Sequence, residues 1–106
     1  MNEIVDALKK FRDERDWQQF HNPKDLSIAL SIEAAELLEA FLWKQPGDAD
    51  MSKIKEELAD VFAYAFLLAD ACQLDVKDIV MAKIRVNEKK YPVEKSRGSA
   101  KKHDEL

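Results

Sequence analysis

Four carboxylates in two matched pairs carry the chemistry open to this chain. Glu33 and Glu36 stand three residues apart, and after 20 intervening residues Glu57 and Asp60 repeat the spacing. Residues at i and i+3 share a helix face, so each pair presents its carboxylates side by side. Pro46-Gly47 breaks the stretch between the pairs. So short a linker folds the two segments into an antiparallel helical hairpin. Four facing carboxylates repel strongly unless a cation lies among them. Hard oxygen ligands suit Mg2+, with Mn2+ as a substitute. Glu33, Glu36, Glu57 and Asp60 are the expected metal ligands.

The elements that must hold these acids read as helices throughout. The chain has 106 residues, enough for one domain with a modest core. Only two Gly and three Pro, with 36% charged residues, favour helices over a sheet with many turns. The spacing predicts a first helix over 2–16, with Ile4, Val5, Leu8 and Phe11 on its apolar face. A second is expected over 23–43, after an Asn22 cap and Pro23 at its first position. On it Ala29, Glu33, Glu36, Ala40 and Trp43 make one stripe, and apolar residues cover nearly every other face. A four-helix monomer of this size cannot bury such a helix fully, so oligomerisation is expected. A third helix is expected over 51–73, capped by Asp50, with Lys53, Glu57, Asp60 and Tyr64 on one stripe. Tyr64 reads either as a core tyrosine or as part of the acidic face.

The segment 17–22 interrupts the periodicity with Trp17, Phe20 and His21. Two readings stay open there. Trp17 and Phe20 plug the end of the bundle, or Trp17 stacks on a base and His21 reaches a phosphate or base edge. Asp75 caps a fourth helix over 76–90. On it Lys83, Asn87 and Lys90 follow at i, i+4 and i+7, with Tyr91 beside Asn87. The lysines either complement the helix dipole or form an edge that contacts phosphate and base. Residues 93–106 are polar and basic and are expected to be mobile until something binds.

Composition excludes several classes. A net charge of −4 argues against a binder of nucleic acid polymers. The single Cys72 permits no internal disulfide or Cys-rich zinc site and, in an apolar run, is expected to be a buried inert thiol. No apolar run approaches the roughly 20 residues that span a bilayer. The first 16 residues hold no signal-peptide core, so a cytoplasmic location is expected and the closing His103-Asp104-Glu105-Leu106 reads as coincidence.

Taken together, Glu33-x-x-Glu36 and Glu57-x-x-Asp60 resemble the metal motif of the all-α nucleoside triphosphate pyrophosphohydrolases, and most closely the small MazG-like branch that includes dCTP pyrophosphatase. Arg15-Asp16-Trp17, Phe20-His21, Pro23, Phe41-Leu42-Trp43-Lys44, Glu56 to Val61, Tyr64, Asn87 and Tyr91-Pro92 extend the resemblance over nearly the whole chain. It implies a four-helix bundle-type fold with a central acid-bearing hairpin, assembled as a homotetramer (a dimer of dimers). It implies a MazG-like helical nucleotide pyrophosphohydrolase domain over 1–92, with 93–106 as a basic tail. Trp17, His21, Trp43, Tyr64 and Asn87 would line the nucleoside pocket. Lys83, Lys90 and Tyr91 join them on the substrate side. The Lys44–Asp50 connection looks shorter than in the dCTP enzyme, and the tail matches loosely; both touch base preference more than reaction class.

The implied reaction splits the α–β phosphoanhydride of a nucleoside triphosphate, with Glu33 or Glu36 taking a proton from water. A di-iron bundle needs Glu-x-x-His on paired helices, and here the positions three beyond Glu33 and Glu57 are Glu and Asp. The other alternative is a non-catalytic helical-bundle interaction or regulatory protein. That reading leaves two acid pairs among apolar residues with no counter-charge, which is costly.

Overall fold

The computed structural model describes residues 2–106, with the backbone alone at Asn2. Every regular element among them is helical. The helices are α1 (Asn2–Glu14), α2 (Pro23–Glu39), α3 (Met51–Ala71), α4 (Val76–Lys90) and α5 (Val93–Ser96). Short 3-10 turns occupy Gln18–Phe20, Pro46–Asp48 and His103–Glu105. The chain divides into two compact units, one running to Leu74 and one over Asp75–Leu106.

In the first unit α2 packs mainly on α3, and α1 also packs on α3. The buried apolar residues are Leu26 near the start of α2 and Phe66, Leu67 and Ala69 near the end of α3, with Ala40 just past α2. Antiparallel pairing of the hairpin brings the first two groups to the same end. Leu26 is the most enclosed, and burying a leucine side chain contributes about 1.5–3 kcal/mol.

The helix starts follow the sequence closely. Asn22 Oδ1 accepts from the Asp25 N–H, Asp50 Oδ1 from Ser52 and Asp75 Oδ1 from Asp78. Each satisfies one of the orphan N–H groups of a helix N-terminus. The fourth helix spans 76–90 as expected.

Three helix ends differ. The sequence predicts stops at 16, 43 and 73, but α1, α2 and α3 end at Glu14, Glu39 and Ala71. In each case the chain turns through a left-handed residue that is not glycine: Asp16 (φ 54°), Trp43 (φ 60°) and Gln73 (φ 58°). At the first, Trp17 N–H donates to Arg12 C=O and Asp16 N–H to Asp13 C=O. At the third, Leu74 N–H donates to Ala69 C=O and Gln73 N–H to Asp70 C=O. Both are Schellman closures, which usually place glycine at the left-handed position. Cys72 falls in the third of these turns and is exposed, against the expectation of a buried thiol. Its place beyond the helix end explains the difference.

In the second unit, the tail expected to be mobile carries α5 and a terminal 3-10 turn. The His103 ring meets Tyr91 edge-on at 5.8 Å between centroids.

Many large apolar side chains of the chain stay open. Ile28, Ile32, Leu38, Leu58 and Phe62 of α2 and α3 are exposed, as are Ile79, Val80, Met81, Ile84 and Val86 of α4. Among the described residues no helix is long and apolar enough to cross a membrane.

Candidate metal and nucleotide site

The hairpin brings three of the four expected ligands together. Glu33 and Glu36 of α2 and Glu57 of α3 each place one carboxylate oxygen so that the three lie within 4.8 Å of one another. Glu57 is buried, and Glu33 and Glu36 are half-buried. Asp60 stands outside this trio, one turn further along α3, where it lines an adjoining cleft.

The electrostatics follow from the crowding. The contact of Glu36 with Glu33, then with Glu57, together with burial, pushes its carboxyl up to about 7. Three carboxylates so close do not all ionise readily, and Glu36 is the one that holds its proton to higher pH. Glu57 moves the other way. Lys53 Nζ lies 2.8 Å from its Oε1 and holds it below the ordinary carboxylate range, against the opposing pull of burial. Glu57 raises the lysine in turn. Lys53 is thus a counter-charge, which corrects the expectation that the acids stand without one.

Two oxygens of the cluster, Glu33 Oε2 and Glu57 Oε2, are buried without a hydrogen-bond partner. An orphaned buried carboxylate oxygen is costly. A cation among the three groups would satisfy both. The donor set is all oxygen, the kind preferred by hard divalent ions. The residues present therefore fit a divalent metal.

The adjoining cleft, of about 130 Å3, lies in the same unit and is lined by Leu8, Phe11, Arg12, Trp17, His21, Asp60, Ala63, Tyr64 and Leu67. Trp17, His21 and Tyr64, all singled out in the sequence, converge here. Trp17 is held edge-on by Phe11 at 5.8 Å, and the Arg15 guanidinium covers the other ring at 3.7 Å. Phe20 is exposed and plugs nothing. His21 is half-buried, and its Nδ1 is buried without a partner. Burial, and then the Arg12 charge, lower its pKa and keep the ring neutral near pH 7. Tyr64 is raised by burial, then by Glu33, Asp60 and Glu36, so its hydroxyl stays protonated within electrostatic reach of the acids.

Trp43 is not on the acid stripe. The early end of α2 puts it in the connecting loop, 94% exposed. In the second unit, Lys83 and Asn87 line an open groove on α4 with Ile79, Val80 and Ile84. Lys90 lies in the last turn of α4, and Tyr91 ends the helix by donating its N–H to Asn87 C=O.

Sequence reasoning missed Arg12. It reads as part of the charged face of α1, yet its side chain is only 10% exposed. Only its spacing, one residue after Phe11 and four after Leu8, marks it as lying beside the apolar stripe.

The described residues thus form a helical hairpin whose carboxylate trio could hold a metal ion, beside an aromatic-walled cleft. Comparisons with known proteins give the family. The model of the MazG-like family matches residues 28–106, and the chain belongs to that family. It is 42% identical to dCTP pyrophosphatase 1 of Mus musculus and 38% identical to that of Homo sapiens, in each case over 92% of this chain and 62% of the relative. The chain thus spans about three fifths of the length of these curated relatives. A solved structure of a pyrophosphatase from Archaeoglobus fulgidus DSM 4304 superposes with a TM-score of 0.81 at 39% identity, covering 87% of this chain and 92% of that one.

Proposed function

We propose that this chain is a Mg2+-dependent nucleoside triphosphate pyrophosphohydrolase. It hydrolyses a deoxynucleoside triphosphate, dCTP or a close relative, to the monophosphate and pyrophosphate in the cytoplasm. The observation that carries the reading is the convergence of Glu33, Glu36 and Glu57, with two buried partnerless oxygens, beside a cleft walled by Trp17 and Tyr64. The dCTP preference rests on the named relatives.

Glu33, Glu36 and Glu57 would hold the Mg2+, with Asp60 as a fourth ligand, and Mn2+ would substitute. When bound, the ion neutralises phosphate charge and orients water for in-line attack. The protein's own groups do the rest. Glu33 or Glu36, whichever keeps a carboxylate oxygen free of the metal, takes the proton of the attacking water. Lys53 keeps Glu57 ionised and ready to bind a cation. Trp17, His21 and Tyr64 orient the nucleoside, and Trp43 closes over it from the loop. Lys83, Asn87, Lys90 and Tyr91 contribute from α4.

The exposed apolar residues of α2, α3 and α4 support a homotetramer, a dimer of dimers, because self-association removes that area from water. Residues 1–92 form the catalytic domain and 93–106 a basic tail that meets phosphate.

The test is pyrophosphate release from the ordinary and modified triphosphates with and without Mg2+. Glu36→Gln should abolish turnover at saturating Mg2+ while keeping the helical circular-dichroism signal; retained turnover refutes its role. A non-catalytic bundle is the rival. Mg2+ with nucleotide at about 100 times the dissociation constant should stabilise the fold by about 2.7 kcal/mol, whereas no shift with any nucleotide favours the rival.

A further inference from the structure

The strongest unexplained group outside the acid cluster is Arg12. Its side chain is nine-tenths buried, yet it forms part of the wall of the cleft that also holds Trp17, His21 and Tyr64. Its Nε donates to Asp13 Oδ1 at 2.8 Å. The guanidinium has five N–H groups in a fixed fork. Among the described residues no other side-chain bond of Arg12 exists, so four of those donors lack a protein partner. None of its nitrogens is among the fully buried, unpartnered atoms of the described residues, so the fork stays open for a ligand at the cleft it lines.

The position of Arg12 is fixed from both sides. Its own C=O accepts from Arg15 N–H and Trp17 N–H in the turn that closes α1. The aromatic wall and the guanidinium are therefore set by one backbone knot. Beside it stands His21, whose Nδ1 is buried and unpartnered.

We propose that Arg12 is a specificity-determining residue that reads the base, donating its paired N–H groups to the adjacent N3 and O2 acceptors of a cytosine ring. This rests on the nucleotide reading above. The cleft is too small for a whole nucleotide, since ligand sites for drug-sized molecules run to about 300–1,000 Å3, but it suits one heterocycle stacked at Trp17. An arginine fork matches two neighbouring acceptors on a base edge. Cytosine offers N3 and O2 side by side and a 4-amino donor next to them. Neutral His21 has an unfilled ring nitrogen for that amino group. Uracil and thymine carry N–H at position 3, which faces the guanidinium donor to donor. A site built for one hydrogen-bonding pattern rejects the wrong one because its buried groups are left unpaired. The phosphates have their own seat, because the cluster of Glu33, Glu36 and Glu57 lies outside the cleft that Arg12 lines.

The test compares dCTP, dUTP and dTTP by kcat/KM in the wild type, Arg12→Lys and Arg12→Gln, all in the full chain. Wild type should prefer dCTP by about 10- to 100-fold. Both variants should lose that preference, mainly through a higher KM for dCTP. Lysine keeps the charge but lacks the fork, so its failure to rescue separates base reading from general charge. Equal losses on all three substrates, or an unchanged preference, overturn the proposal. If wild type hydrolyses no triphosphate, the function proposed above fails. Calorimetric binding of deoxycytidine and deoxyuridine monophosphates then judges Arg12 alone. Should neither variant fold, the wild type decides with 3-deazadeoxycytidine monophosphate, which lacks the N3 acceptor. At least tenfold weaker binding than deoxycytidine monophosphate supports the proposal, and equal binding overturns it.

Discussion

Lys53 Nζ sits 2.8 Å from Glu57 Oε1, while the other oxygen of that carboxylate is buried with no partner. One half of Glu57 is thus neutralised within its own helix, at i and i+4, and the other half has no partner among the described residues. The lysine is half-exposed and the glutamate enclosed, so the pair is a hinge between solvent and the acid cluster.

Lys53→Met should therefore weaken the metal-free protein more than the loaded one. Without its lysine, Glu57 keeps its burial but loses the group that holds its charge. The melting temperature in chelator should fall, and the gain on adding Mg2+ should exceed that of the wild type. Equal gains in the two proteins would show that Lys53 is only a surface charge.

Glu36 sets a pH dependence of opposite sign to the usual carboxylate. Its folded value is raised from 4.5 to about 7, so the folded state binds more protons than the unfolded state between those limits. Its contribution is fully present below about pH 4.5 and is lost as pH rises towards 7. The melting temperature of metal-free protein should carry that downward component, and Glu36→Gln should remove it. An identical pH profile in the variant rules out the assignment.

Trp43 lies at φ 60° with 94% exposure, a backbone that glycine adopts without strain. Trp43→Gly should leave the melting temperature unchanged or raised. Nucleotide affinity should fall by an amount typical of one lost stacking contact, about 1–3 kcal/mol. Unaltered KM would remove Trp43 from the substrate site.

Asn22 caps the helix that carries Glu33 and Glu36, its Oδ1 accepting from Asp25 N–H at 2.9 Å. Asn22→Ala should cost about 1 kcal/mol in urea denaturation. Leu26→Ala, in the most enclosed core position, should cost about 2–5 kcal/mol. The ratio of the two reports how far the hairpin depends on packing rather than on its cap.

The amino-acid sequence by itself determined the helical class, the caps at Asn22, Asp50 and Asp75, and the paired acids on facing helices. These are local properties: a cap needs only its own first turn, and a stripe needs only the 3.6-residue period. The helix ends at Glu14, Glu39 and Ala71 were hidden because Asp16, Trp43 and Gln73 take a left-handed conformation usually signalled by glycine. That misplaced Trp43 on the acid stripe. The tertiary structure alone decided which oxygens converge, since Glu33, Glu36 and Glu57 meet while Asp60 turns to the cleft. It alone revealed Arg12, because burial of a charged residue depends on what another helix and a turn place over it. The raised Glu36 and the lowered Glu57 follow from the same cause: a carboxylate's proton affinity is set by neighbours in space, and those neighbours are fixed only when α2 closes on α3.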